Sequence, residues 1–247
     1  MILNKMKDTY TLISGAGRGI GEEISKVFYN NGHYLYLLVH KKKDLIRIKK
    51  NFSPKRVKLF LGDINDEYFI KKISKEIPYV NNLINNAATT NKKFFLDVTL
   101  KDINKIMNTN FRSAFILSQI FSKKMIKKKI KGCVINIGSQ LGKIGAYNRS
   151  IYCSSKFALE GFTKSSSLDL AKFGIRVVGV NPTKTLVNEG EINFQKKRLN
   201  VIKNKIPLKK FSTKKEIAEI AFFLTTKSAN SITGTSLNVD GGWTAGK

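Results

Sequence analysis

The chain has 247 residues, 42% hydrophobic content, 45 lysines and arginines against 17 acids, and a formal net charge of +28. That length suits one α/β domain with a substantial core, and no apolar run approaches the 18 or so residues of a membrane span. Two cysteines and two histidines leave almost nothing for a disulfide framework, a histidine metal site or a Ser-His-Asp triad, so no metal is expected.

The lysines are spread over nearly every helix and loop, and the runs Lys41-Lys42-Lys43 and Lys127-Lys128-Lys129 fall where a turn and a helix end are expected. Solvated surface charge accounts for them, and no specific nucleic-acid partner is implied, although weak polyanion binding at low salt would be ordinary. Met1 to Asp8 has no apolar h-region or cleavage pattern, which makes the cytosol the expected compartment.

Strand-length apolar runs alternate with helical patterns from end to end, which predicts a Rossmann-type, doubly wound parallel sheet of about seven strands. Thr9–Ser14 reads as the first strand; Gly15-Ala-Gly-Arg-Gly-Ile-Gly21 follows, and a helix begins with Ile20, Ile24, Val27 and Phe28 on one side. Glycines in that position allow a tight turn and close backbone approach, and the N–H groups of the helix start can bind a pyrophosphate. Next come a strand over Tyr34–Val39, a polar helix near Lys43–Asn51, a strand over Val57–Leu61 ending at Gly62-Asp63, and a strand over Asn82–Asn85. Two long helices follow, Leu100–Asn108 and Asn110–Lys128, then a strand ending at Gly138 and a helix carrying Tyr152 to about Phe173. The stretch from Ile175 to Val180 is the next strand, and 183–205 is polar and irregular, a natural substrate lid. A helix over Lys214–Thr226 and a strand over Ser236–Val239 complete the chain, with no repeat or interdomain linker.

Tyr152 and Lys156 lie at i and i+4 of one helix, so they share a face, and Ser139 stands at the end of the preceding strand. A phenol is a poor proton relay at neutral pH unless a cation accompanies it, and Lys156 is placed to do so. Ser139 and Tyr152 therefore fall near strand carboxyl ends, where ligands bind in open α/β sheets.

These residues together resemble the classical short-chain dehydrogenase/reductase family over essentially the whole chain. Ser14-Gly-Ala-Gly-Arg-Gly-Ile-Gly21 is similar to its glycine loop, Asn85-Asn86-Ala87 to its Asn-Asn-Ala-Gly, and Asn181-Pro182 and Asp240-Gly241-Gly242 to its closing motifs. Asn110, Ser139, Tyr152 and Lys156 match its four catalytic positions. The resemblance implies that Tyr152 moves the proton, Lys156 lowers its pKa and holds the nicotinamide ribose, Ser139 binds the reacting oxygen, and Asn110 fixes a water linking Lys156 to solvent. It also implies a cofactor set of Gly15, Arg18, Gly19, Ile20, Gly21, His40, Lys41, Asp63, Ile64, Asn86, Ala87, Tyr152, Lys156, Pro182 and Thr185.

The stretch after the second strand, Val39-His40-Lys41-Lys42, holds no carboxylate before Asp44, and Arg18, His40 and Lys41 could meet a 2′-phosphate. NADP(H) is therefore favoured, with NAD(H) as the alternative. Ala88 and Thr183 replace family glycines, and together with Ser139-Gln140 and Tyr-Cys-Ser-Ser-Lys they resemble members acting on sugars, polyols or small dicarbonyls. A 3-oxoacyl-[acyl-carrier-protein] reductase is the alternative, and a non-catalytic nucleotide- or polyanion-binding protein a remote one.

The family usually forms tetramers. The helix over Asn110–Lys128 and the Tyr152 helix, with Ala158, Phe162 and Leu170, would pair across two-fold axes, and Leu237–Trp243 offers an edge for a second dyad. Lys123, Lys124, Lys127, Lys128 and Lys129 oppose this by crowding one helix end with like charge.

Overall fold

In the computed structural model, residues 8–183, 185 and 196–246 are described. Seven strands, β1 (Tyr10–Ser14), β2 (Tyr34–Val39), β3 (Val57–Leu61), β4 (Asn82–Asn85), β5 (Cys133–Ile137), β6 (Arg176–Pro182) and β7 (Ser236–Val239), form one sheet in the order β3-β2-β1-β4-β5-β6-β7. Every pairing is parallel. The doubly wound expectation therefore holds.

Successive strand residues point to opposite faces, and both faces are apolar. Leu12, Leu83, Val134 and Val177 enter one core with helix α3 (Glu67–Glu76) and helix α5 (Ser113–Lys127). Their sequence neighbours Ile13, Ile84, Ile135 and Val178 enter the other, against helix α1 (Gly19–Asn30) and helix α2 (Lys42–Lys49). Helix α8 (Lys214–Phe223) closes that second layer beside α1, and its start carries a capping box between Thr213 and Glu216.

Two helices depart from the sequence expectation. Helix α3 fills the stretch between β3 and β4 that pattern reading leaves blank; Asp66 caps it by accepting from the Tyr68 N–H, and Phe69, Ile70 and Ile73 are buried. Lys71, Lys72 and Lys75 are exposed on its opposite face, so this is a short amphipathic helix. Helix α7 (Lys196–Asn204) occupies part of the stretch expected to be irregular. The rest of the expected lid, 184 and 186–195, lies outside the described residues, as do 1–7.

The two helices expected at 100–128 are one continuous run. Helix α4 (Leu100–Met107), capped by Thr99 and Asp102, passes into a π-helical turn, Asn108–Arg112, before α5. Helix α6 (Ser150–Ala171) carries Tyr152 and packs against β6. Leu170 packs on the core rather than outward, whereas Phe157 and Leu168 are exposed. Lys124 folds back to donate to the carbonyls of Ser74 and Ile77 at the end of α3, so it does not crowd the end of α5.

His33, just before β2, is buried with Nδ1 2.9 Å from the Thr11 hydroxyl, and its ring meets Phe28 and Phe222 edge-on. Burial pulls its pKa down from 6.5 to about 4. The neutral ring is therefore worth most above pH 6.5, and its contribution disappears as pH falls from 6.5 towards 4. Urea unfolding should show stability falling by on the order of 3 kcal/mol across that window from this group alone. His33→Gln should flatten that part of the profile, and an unchanged slope would mean that His33 protonates freely in the fold.

Candidate active site

The site is built where the carboxyl ends of β1 and β4 lie side by side and their chains leave for opposite faces of the sheet. Gly15 turns the chain after β1 at φ +64°, and Gly19 begins α1 at φ +63°. A Cβ on Gly15 would stand 2.8 Å from the Ala87 Cα, and one on Gly21 would stand 2.3 Å from the Gly15 carbonyl oxygen. The Asn86 amide donates to the carbonyls of Ser14 (3.0 Å) and Gly15 (3.1 Å), while the Ser14 hydroxyl accepts from the N–H groups of Asn86 and Ala87. Ile20 packs on the core below, and Arg18 is exposed at the N-cap of α1 with no side-chain cap bond. The result is a backbone-lined cradle at a helix start, which fits a dinucleotide pyrophosphate.

His40 and Lys41 are exposed at the end of β2, with Lys41 at the N-cap of α2. Asp44 comes nearer than its place in sequence suggests, its Cβ 3.0 Å from where a Gly17 Cβ would sit. Arg47 stands between: it donates to both Glu22 oxygens at 2.8 Å and to the Gly17 carbonyl at 2.5 Å, with Asp44 at 4.0 Å. At the end of β3, the Asp63 carboxylate accepts from the Asn65 N–H at 2.8 Å, and Ile64 is half-buried against the core. Pro182 ends β6, and Thr185 donates to the Thr183 carbonyl at 3.3 Å. All these groups lie along one end of the sheet.

Asn110 sits in the π-helical turn and is buried. Its Oδ1 accepts from the Thr89 N–H at 2.8 Å, and its Nδ2 donates to the Thr89 carbonyl and to the Ser155 hydroxyl, each at 3.0 Å. The side chain expected to fix a water thus ties the loop after β4 to α6, one residue before Lys156. Wider turns of this kind recur at functional positions, and a sequence with unbroken helical periodicity gives no sign of them.

The Ser139 hydroxyl accepts from the Leu141 N–H at 3.1 Å and stabilises the ionised form of the Tyr152 phenol. Burial raises the Tyr152 pKa above 10, while Ser139 and then Arg149 pull it back. Arg149 is thus a second cation acting on the phenol, one that sequence reading did not include. Lys156 is buried, donates to the Ile137 carbonyl at 2.8 Å, and stands 6.0 Å from the Tyr152 ring centroid. Burial lowers its pKa to about 8, and Glu160 opposes that shift.

A family model described as enoyl-(acyl carrier protein) reductase matches residues 15–244. The chain is 31% identical over 233 residues to an L-xylulose reductase from Mesocricetus auratus, covering 94% of this chain and 95% of that one. It is 33% identical over 236 residues to a 3-oxoacyl-[acyl-carrier-protein] reductase from Buchnera aphidicola, covering 94% and 95%. This chain belongs to the classical short-chain dehydrogenase/reductase family. Among solved structures, 4-hydroxyisoleucine dehydrogenase complexed with NADH superposes with a TM-score of 0.91 at 29% identity, over 97% of this chain and 100% of that one. ElxO with NADP bound gives 0.88 at 27% identity, over 97% and 100%. As a member of this family the chain is an oxidoreductase that works on alcohol or carbonyl carbons with a nicotinamide nucleotide. Among the described residues no group of acids, histidines and cysteines could hold a metal ion, both cysteines are free, and no helix is long and apolar enough to cross a membrane.

Arg149 and Glu160 escaped the sequence reading, and Asn181 entered it only within a closing motif, with no role at the site. Arg149 donates to the Thr90 hydroxyl and the Asn91 carbonyl, and Asn181 accepts from the Ser139 N–H at 3.2 Å. The one sequence signal for them was proximity, Arg149 three residues before Tyr152 and Glu160 four after Lys156.

The Gly21 position tests the cradle. Gly21→Ala should weaken nucleotide binding at least tenfold, read by nicotinamide fluorescence, because a methyl group there collides with Gly15 O at 2.3 Å and Asn86 Nδ2 at 2.4 Å. Unchanged affinity would place the pyrophosphate elsewhere.

Proposed function

We propose that this protein is an NADP(H)-dependent reductase of small polar carbonyl compounds, of the sugar, polyol or dicarbonyl class. The observation that carries the reading is a half-buried Tyr152 phenol on which Ser139 acts, one helical turn from a buried Lys156, at the same end of the sheet as the glycine cradle. The names of the L-xylulose reductases, and of a chicken D-erythrulose reductase 30% identical over 236 residues, support the substrate class.

The nicotinamide, when bound, supplies or accepts the hydride at the carbonyl carbon. Ser139 holds the reacting oxygen, and Tyr152 gives it a proton as negative charge develops there. A phenol whose pKa burial has raised stays protonated at neutral pH, which suits it as a donor in the reduction direction. Lys156, released from the Ile137 carbonyl, has the reach to serve both the phenol and a ribose hydroxyl. Asn110 holds α6 through Ser155, and so sets where Tyr152 and Lys156 stand.

Arg18, His40 and Lys41, all solvent-facing at the ends of β1 and β2, are the groups we assign to a 2′-phosphate. Arg47 offsets the nearby Asp44 and Glu22 carboxylates. A cytosolic homotetramer or homodimer completes the proposal. Phe115, Phe157 and Leu168 are exposed on α5 and α6, and β7 is a sheet edge, as two-fold interfaces require.

The 3-oxoacyl-[acyl-carrier-protein] reductase reading keeps one specific support, the 33% identity to the Buchnera aphidicola enzyme. Assaying reduction of L-xylulose, diacetyl and acetoacetyl thioester in parallel separates the two.

Two outcomes are expected. Titration followed by fluorescence should give NADPH about tenfold tighter binding than NADH, from one or two charge-assisted contacts; equal affinities would remove Arg18, His40 and Lys41 from the phosphate site. Tyr152→Phe should keep NADPH affinity while kcat on any accepted carbonyl falls by roughly a thousandfold or more. Near-normal turnover in that variant would refute the assigned proton donor.

A further inference from the structure

Glu160 is a buried carboxylate, 8% exposed, to which the reaction above gives no task. Carboxylates are seldom so buried unless paired. Its Oε1 accepts from the Asn181 amide at 3.0 Å and from the Ser236 hydroxyl at 2.7 Å, and its Oε2 forms an ion pair with Lys143. These partners come from β6, from the edge of β7 and from the turn that follows Ser139.

Each partner leads back to the reacting groups. Asn181 is wholly buried and accepts from the Ser139 N–H at 3.2 Å through its Oδ1. A Cβ on Gly138 would fall 2.0 Å from that same Oδ1, so glycine is what lets Asn181 reach the serine's backbone. A Cβ on Gly142 would stand 3.0 Å from the Lys156 carbonyl oxygen and 3.3 Å from Glu160 Cγ. The 139–143 turn therefore lies flat on α6 between Lys156 and Glu160, and Lys143 clasps it there.

We propose that Glu160 is a positioning residue that holds Ser139 through Asn181 and the Lys143 turn, and keeps Lys156, one helical turn away, in its ammonium form. The proposal rests on the reductase reading for the use made of Lys156. Among the described residues, the titratable or charged groups around this pair are Tyr152 and Cys153 on α6, Arg149 at its N-cap and Lys143 on the turn. Strands β6 and β7 contribute the neutral Asn181, Asn238 and Ser236.

The direction of the effect follows from charge. Burial pulls Lys156 down to about 8 and Glu160 pushes it up. Glu160→Gln keeps the size and an acceptor for Asn181 and Ser236, but removes the negative charge and leaves Lys143 uncompensated. Both changes disfavour a second ammonium nearby, so Lys156 should lose its proton at lower pH. Lys143→Met does the opposite, because it leaves the Glu160 carboxylate with one fewer cation to neutralise it.

The experiment uses the full chain with two readouts. Acetic anhydride labelling across pH, read by peptide mass spectrometry, follows the Lys156 titration without any substrate. The pH profile of NADPH-dependent reduction of diacetyl or L-xylulose follows its use. The labelling midpoint and the alkaline limb of the profile should both move down by about one pH unit in Glu160→Gln and up in Lys143→Met. A Lys156 midpoint that stays put in both variants, or moves the same way in both, overturns the proposal, even if turnover falls. Failure of the wild-type protein to reduce any carbonyl would overturn the reductase reading instead, and the labelling midpoints would still decide the role of Glu160 towards Lys156.

Discussion

The fold and the site meet in the two hydrogen bonds from the Asn86 amide to the carbonyls of Ser14 and Gly15. They lock the loop after β4 against the turn after β1, at the place where a doubly wound sheet must open a crevice. The Asn86 amide, the Gly15 carbonyl and the Ala87 backbone fill the space there, so no Cβ fits and Gly15 and Gly21 follow as the residues that can occupy it. With the loop pinned, the start of α1 faces outward at the sheet's carboxyl edge. The N–H groups there become a fixed positive dipole instead of a flexible turn.

The second half of the site is governed by desolvation. Lys156 is fully enclosed and meets the Ile137 carbonyl, so its charge is costly and its basicity drops. Tyr152 suffers the opposite shift from the same cause, since burial penalises phenolate. One low-dielectric environment thus moves the two groups apart in proton affinity, with Lys156 releasing its proton more readily and Tyr152 holding its own more tightly. Ser139, Arg149 and Glu160 oppose that separation, from the end of a strand, the start of α6 and its interior.

The surface carries the compositional excess of lysine without letting it shape the chemistry. Lys124 is spent on the carbonyl end of α3, and Lys143 and Lys93 are paired with Glu160 and Asp102. A buried acid surrounded by a strongly cationic chain finds a counter-ion easily, which explains how Glu160 can persist at 8% exposure.

Strand positions were legible in the sequence because a parallel sheet covered on both faces demands unbroken apolar runs, and runs such as Tyr34–Val39 and Asn82–Asn85 have no other use. The glycine loop, Asn110, Ser139, Tyr152 and Lys156 were legible because residue type and spacing carry their chemistry. Helix α3 was not, although Phe69, Ile70 and Ile73 share one helical face, since the pattern spans only ten residues and its burial depends on a sheet assembled from distant segments. Nor was the approach of Asp44 to Gly17, the clasp of Asn110 on Ser155, or the route from Glu160 through Asn181 to Ser139. The sequence by itself determined which groups could move a proton and cradle a phosphate, because those capacities belong to side chains and short backbone motifs. Only the tertiary structure decided that Arg149 joins the charges acting on the phenol and which carboxylate stands by the lysine. Electrostatic influence depends on distance and burial in space, and neighbours such as Asn181 and Ser139 are 42 residues apart along the chain.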